Sequence, residues 1–153
     1  MLRLQPIEFF LRAIPEGFLF IFAIYVFSKE MIDKRKYVIS SIIYSTAIFL
    51  IRMLPINYGV HTILAVLFLL FLTITYNNID VIKTMSSTII IFIVQFLSEG
   101  INMLIIQFLP DIDQLFKDPV LKTILGLPSL IIASLITYIF YKKINKKDVL
   151  KDV

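Results

Sequence analysis

Apolar residues in this chain gather into five runs divided by short polar breaks, over residues 7–28, 37–54, 60–76, 84–109 and 120–141. A helix needs about 20 mostly apolar residues to cross the ~30 Å hydrocarbon core of a bilayer. Each run approaches or exceeds that length. The pattern predicts an all-α, polytopic integral membrane protein, a single bundle of about five transmembrane helices. The breaks read KEMIDKRK, PINYG, a short polar turn at 77–83, PDIDQLFKDP, and a basic tail at 142–153. Proline and glycine punctuate two of them.

The fourth run, TMSSTIIIFIVQFLSEGINMLIIQFL, is the stretch around which the sequence organises the expected bundle. Thr88, Gln95, Glu99 and Asn102 stand at i, i+7, i+11 and i+14, so they line one helix face. A charge at bilayer mid-depth costs roughly 2.5–3.5 kcal/mol on insertion scales. Glu99 is therefore expected to meet a partner or a wet cavity.

The first run is mixed. Glu8, Arg12 and Glu16 repeat every four residues and are expected to share a face and pair along the helix. Pro15 removes a backbone donor and is expected to kink it. The alternative is an interfacial helix up to Ile14 followed by a short span. Ser41 and Ser45, and again Ser129, Ala133 and Thr137, form small-residue stripes suited to close helix packing. Gly126 and Pro128 are expected to loosen the start of the fifth helix.

Composition narrows the class. Of 153 residues, 59% are hydrophobic and 17% charged, against about 25% charged in average soluble domains. The net charge of +4 sits in residues flanking apolar runs. It points to the lipid bilayer, not to nucleic acid. There is no Cys, which excludes disulfides and thiolate chemistry. Glu8, Arg12 and Glu16, with no small-residue cleavage site, argue against a cleavable signal peptide, so the first run is expected to be retained.

Lys and Arg counts set the expected orientation. Lys29, Lys34, Arg35, Lys36, Lys83 and the tail lysines fall on one side. Arg3, Arg12, Arg52, Lys117 and Lys122 fall on the other. The positive-inside rule then puts the N-terminus outside and the C-terminus in the cytoplasm of a cell-membrane protein. Tyr25, Tyr37, Tyr76, Tyr138 and Tyr141 come to the inner boundary, where interfacial aromatics belong. Glu16 lies about 13–14 Å in from the outer end of its helix and Glu99 about 15 Å. Arg12 is about one turn shallower, and Arg52 and His61 lie near the outer mouth.

The embedded polar groups Arg12, Glu16, Arg52, His61, Gln95, Glu99 and Asn102 therefore gather in the outer half. An outward-opening polar pocket is expected, with Arg12 as partner for Glu16 or Glu99. The plainer alternative is a purely structural ion pair that fixes helix packing. Arg52 alone could snorkel outward, and His61 alone could be an interface residue.

Other chemistry finds little support. Asp111, Asp113 and Asp118 lack EF-hand spacing and read as a solvated acidic loop, so no metal or cofactor is expected. No HExxH, GxSxG or P-loop occurs, and the chain is expected not to be an enzyme. Agr-type membrane peptidases use a Cys–His pair, which a chain without Cys cannot supply.

The run LIRMLPINYGVHTIL (50–64), with PEGFLF (15–20) and SEGIN (98–102), resembles the multi-span N-terminal region of clostridial sensor histidine kinases of the GHKL type. These are relatives of Agr-type quorum-sensing receptors. The resemblance covers about residues 7–141. It implies an extracellular peptide or small-molecule ligand and a signal passed through the last helix. The chain stops at Val153, where a dimerisation helix and ATP-binding domain would begin. The expectation is a stand-alone, non-enzymatic sensor or accessory subunit acting through a partner such as a kinase. A small transporter or substrate-binding subunit is the alternative reading, and a ligand-free assembly factor the third. The missing inverted repeat counts mildly against a self-sufficient transporter.

Overall fold

The computed structural model describes residues 9–108 and 119–149. Within them the chain is helical: α1, Ile14–Ser28; α2, Lys34–Met53; α3, Tyr58–Thr75; α4, Val81–Ile106; α5, Pro119–Val149. A π-helical turn, Phe9–Ala13, runs directly into α1. Pro15 cannot donate to the Leu11 carbonyl, and in a regular α-helix its ring would press on that carbonyl. The wider π turn just ahead accommodates it, where the sequence predicted a kink. Glu8 and the acidic 110–118 stretch lie outside the described residues.

Capping moves two boundaries away from the expected ones. The Asp33 carboxylate accepts the Arg35 and Lys36 amides at 3.0 and 3.4 Å, so Lys34–Lys36 form a first helical turn rather than loop. Asp80 accepts the Ile82 and Lys83 amides at 3.1 and 3.4 Å, starting α4 at Val81 instead of residue 84. Both are side-chain N-caps satisfying amides that have no intrahelical acceptor. Pro128 does not end α5, which continues through it.

Four helices are long and apolar enough to cross a membrane: Phe9–Ser28, Lys34–Met53, Val81–Ile106 and Thr123–Ile144. The apolar stretch of α3, Gly59–Thr75, is shorter. Of the Phe9–Ser28 span 56% is buried inside the protein, against 28–33% for the other three. The first helix is thus the central one, touching α2, α4 and α5, while α3 bridges α2 and α4. This corrects the expectation that the fourth run organises the bundle. Small residues explain the central position. Ala13, Gly17 and Ala23 are buried, and a methyl on Gly17 would meet the Ser45 side chain and the Ser41 carbonyl. The predicted Ser41/Ser45 stripe is thus the floor on which α1 lies.

Polarity runs inside out relative to a water-soluble protein. Ser40, Ser41, Ser45, Thr73, Thr84, Ser98 and Thr137 are buried, whereas Ile63, Leu67, Phe71, Ile93, Phe96, Leu97 and Leu135 face outward. The buried hydroxyls mostly donate to carbonyls one turn back: Ser41 to Tyr37 at 2.7 Å, Thr73 to Leu69 at 2.7 Å, Ser98 to Val94 at 2.8 Å, Thr137 to Ala133 at 2.9 Å. Polar groups satisfied this way cost little in a medium without water. The outer faces are apolar because lipid, not solvent, suits them. The predicted stripe of Ser129, Ala133 and Thr137 is buried as expected.

Candidate functional site

The 54–57 connection and the end of α4 at Ile106 lie at one end of the bundle, and there the charged side chains meet. Arg52 closes the last turn of α2 and Glu16 opens the first turn of α1. Arg52 Nη2 donates to both Glu16 carboxylate oxygens, at 2.7 and 2.8 Å. Glu16 is 8% exposed. Arg52 therefore turns inward rather than snorkelling, because a buried carboxylate without a cation is far costlier than the reach of one long side chain.

Arg12 belongs to the π turn and pairs with Glu99 of α4 at 3.8 Å. Of the two partners expected for it, Glu99 is the one it has. Glu16 and Arg12 were also expected to pair along their own helix. Among the described residues each instead pairs across helices. The π turn changes the angular step between residues 12 and 16, so the two no longer stack as in a regular α-helix. Gly126 of α5 leaves room for the guanidinium, since a methyl there would sit 3.1 Å from Arg12 Nη1.

Gln95, one turn before Glu99, donates Nε2 to Glu99 Oε1 at 2.9 Å. The face predicted on α4 is largely present, with Thr88, Gln95 and Asn102 buried and Glu99 half-buried. Asn102 serves a different end. Its Nδ2 donates to the Leu125 carbonyl at 2.7 Å, tying α4 to the first turns of α5.

A cavity of about 130 Å³ opens between α1, α2, α3 and α4. Of the seven expected residues, Glu16, Arg52, His61, Gln95 and Glu99 line it. Arg12 reaches it through Glu99, and Asn102 lies outside the lining. Sequence reasoning missed the apolar walls, Phe20 and Phe92, and also Tyr44. Tyr44 is fully buried, and among the described residues neither its hydroxyl nor Gln95 Oε1 has a hydrogen-bond partner. A signal for Tyr44 existed, since it stands eight residues before Arg52, on the same helical face.

Two arginines and two glutamates make the cluster neutral overall, but its pairs differ. The Glu16–Arg52 contact is short and the carboxylate side chain is only 10% exposed. The Arg12–Glu99 contact is longer than a hydrogen bond, with side chains 32% and 43% exposed. The arrangement can hold a small polar group against Glu99, Gln95 and the outer edge of Arg52. Among the described residues, no group of three His, Cys, Asp or Glu side chains could hold a metal ion.

Long apolar helices with greasy outsides and hydroxyl-bearing insides define a class: multi-pass helical membrane proteins. Within that class no relative emerges, since no family model, curated protein or solved structure matches the chain.

Proposed function

We propose that this chain is a non-enzymatic sensor or accessory subunit of the cell membrane, with five spans, an outer N-terminus and a cytoplasmic C-terminus. It binds a small polar ligand in the charged cavity and passes the signal through a partner protein. The likeness to GHKL-type sensor regions agrees with this reading. The observation that carries it is the convergence of Glu16, Arg52, Gln95 and Glu99 on one cavity from three helices. Intramembrane charges that line a cavity mark ligand or ion paths more often than charges sealed in packing.

Size refines the ligand. A cavity of about 130 Å³ holds about four waters at ~30 Å³ each, well under the ~300–1,000 Å³ of drug-sized sites. The ligand is a small molecule, or a single side chain of an extracellular peptide. Five spans require α3 to cross as well. Its 18 residues give about 27 Å at helical rise, and local bilayer thinning closes a gap of a few ångströms.

Purified from native membranes in mild detergent, the protein should carry a small polar molecule, seen by mass spectrometry, together with a partner protein. Glu99→Gln and Arg12→Gln should lose the molecule and keep the partner. Wild-type retention in both variants would refute the ligand site. Orientation has a background-free test, because the chain lacks Cys: Met31→Cys should react with an impermeant maleimide only from the cytoplasm, and Ile56→Cys only from outside. The transporter reading draws on the two carboxylates lining one cavity. Substrate accumulation in vesicles holding this chain alone would favour it over sensing.

A further inference from the structure

At the opposite end of the bundle the geometry points to a second site, one that holds the phosphate of an anionic phospholipid headgroup. It is independent of the sensor reading. A cavity of about 490 Å³ lies between the end of α1, the 29–33 connection and α5. Lys29, Lys34, Tyr25 and Tyr141 line it, with apolar Val26 and Ile144 beside them.

The charge balance there is positive. Glu30 also lines the cavity, but Lys83 neutralises it at 2.7 Å. The nearby Asp33 carboxylate accepts the α2 amides it caps and keeps its charge, which acts on Tyr25. Lys29 and Lys34 against Asp33 leave one net positive charge among the described residues, in a setting where anions are favoured. Tyr25 adds a donor. It is 2% exposed, and among the described residues its buried hydroxyl has no hydrogen-bond partner. A buried phenol O–H needs an acceptor, and a phosphate oxygen is a strong one.

Lys29 adds the third observation. It closes α1 at φ 57°, ψ 31°, with the Lys29 and Glu30 amides bonded to the Val26 and Tyr25 carbonyls. Glycine is the favoured residue at this left-handed closing position. Here a lysine occupies it, strained, on the cavity rim. The occupant is a lipid rather than a free anion because the rim is greasy. Met31 is 92% exposed, and with Val26, Ile32 and Ile144 it provides apolar surface for acyl chains next to the charges.

The test is native mass spectrometry of the full chain loaded with an equimolar mixture of phosphatidylglycerol and phosphatidylcholine. Wild type should retain phosphatidylglycerol about tenfold over phosphatidylcholine, the ratio expected of a charge-assisted contact. Tyr25→Phe should lower phosphatidylglycerol retention severalfold without lowering thermal stability, since among the described residues the hydroxyl has no hydrogen-bond partner. Lys29→Gly should raise the melting temperature yet lower the ratio. Lys142→Gln removes the same charge from a lysine stacked on Tyr138 at 5.2 Å, away from the cavity lining, and should leave the ratio unchanged. Equal retention of the two lipids would overturn the site. So would an equal loss in Lys142→Gln and Lys29→Gly, which would mean diffuse attraction only. Displacement of phosphatidylglycerol by millimolar inorganic phosphate would overturn the lipid assignment.

Discussion

Removing Arg52 and removing Arg12 should have very different consequences, although both are arginines paired with a glutamate at the same end of one bundle. Arg52→Gln strands Glu16, which is 8% exposed and receives both its hydrogen bonds from Arg52 Nη2 at 2.7 and 2.8 Å. Breaking a fully buried pair costs about 3–5 kcal/mol. The Arg52 side chain is 32% exposed, so the pair is not fully sealed and part of that cost is relieved. The expected loss is therefore about 2–3 kcal/mol, with a coupling energy between Arg52 and Glu16 of about 2 kcal/mol. That exceeds the ~0.6 kcal/mol average of interhelical hydrogen bonds in membranes.

Arg12 and Glu99 are 3.8 Å apart with side chains 32% and 43% exposed. Their coupling should fall within the ~0.2–1 kcal/mol of exposed ion pairs. Two double-mutant cycles measure this directly, Glu16→Gln with Arg52→Gln and Glu99→Gln with Arg12→Gln, by steric trapping of the folded protein in bicelles. The reasoning is refuted if the second cycle couples as strongly as the first. If the ranking holds, Arg12–Glu99 is the pair a ligand can part at low cost, and Glu16–Arg52 is the frame that holds the cavity open.

Gly17→Ala should destabilise by about 1–3 kcal/mol through overpacking, because the new methyl meets Ser45 and the Ser41 carbonyl. Gly100→Ala, in the interior of α4 with open space around it, should instead be neutral or stabilise by up to about 1 kcal/mol; melting curves in detergent compare the two. Asn102→Leu removes the 2.7 Å bond to the Leu125 carbonyl and should cost about 1–2 kcal/mol.

Much of this architecture is legible along the chain. The apolar runs and their breaks place all five helices to within a few residues, apart from α5, which runs past its predicted end. Alternating chain direction brings residues 12, 16, 52, 61, 95 and 99 to one end, whatever the helix rotations. The small-residue stripes reveal where backbones come close, and the small residues opposite them on α1 decide which helix fits there. Periodicity, however, defines a face and not the direction in which that face points. Whether Glu16 meets Arg12 or Arg52 depends on the angular phase of α1, and the π turn before Pro15 alters that phase by a local change no hydropathy pattern records. Tyr44 and the phenylalanine walls look like ordinary apolar span residues until neighbouring helices close around them. Position along the bundle was written in the sequence; partnership among side chains at the same level came only from how the helices turn towards one another.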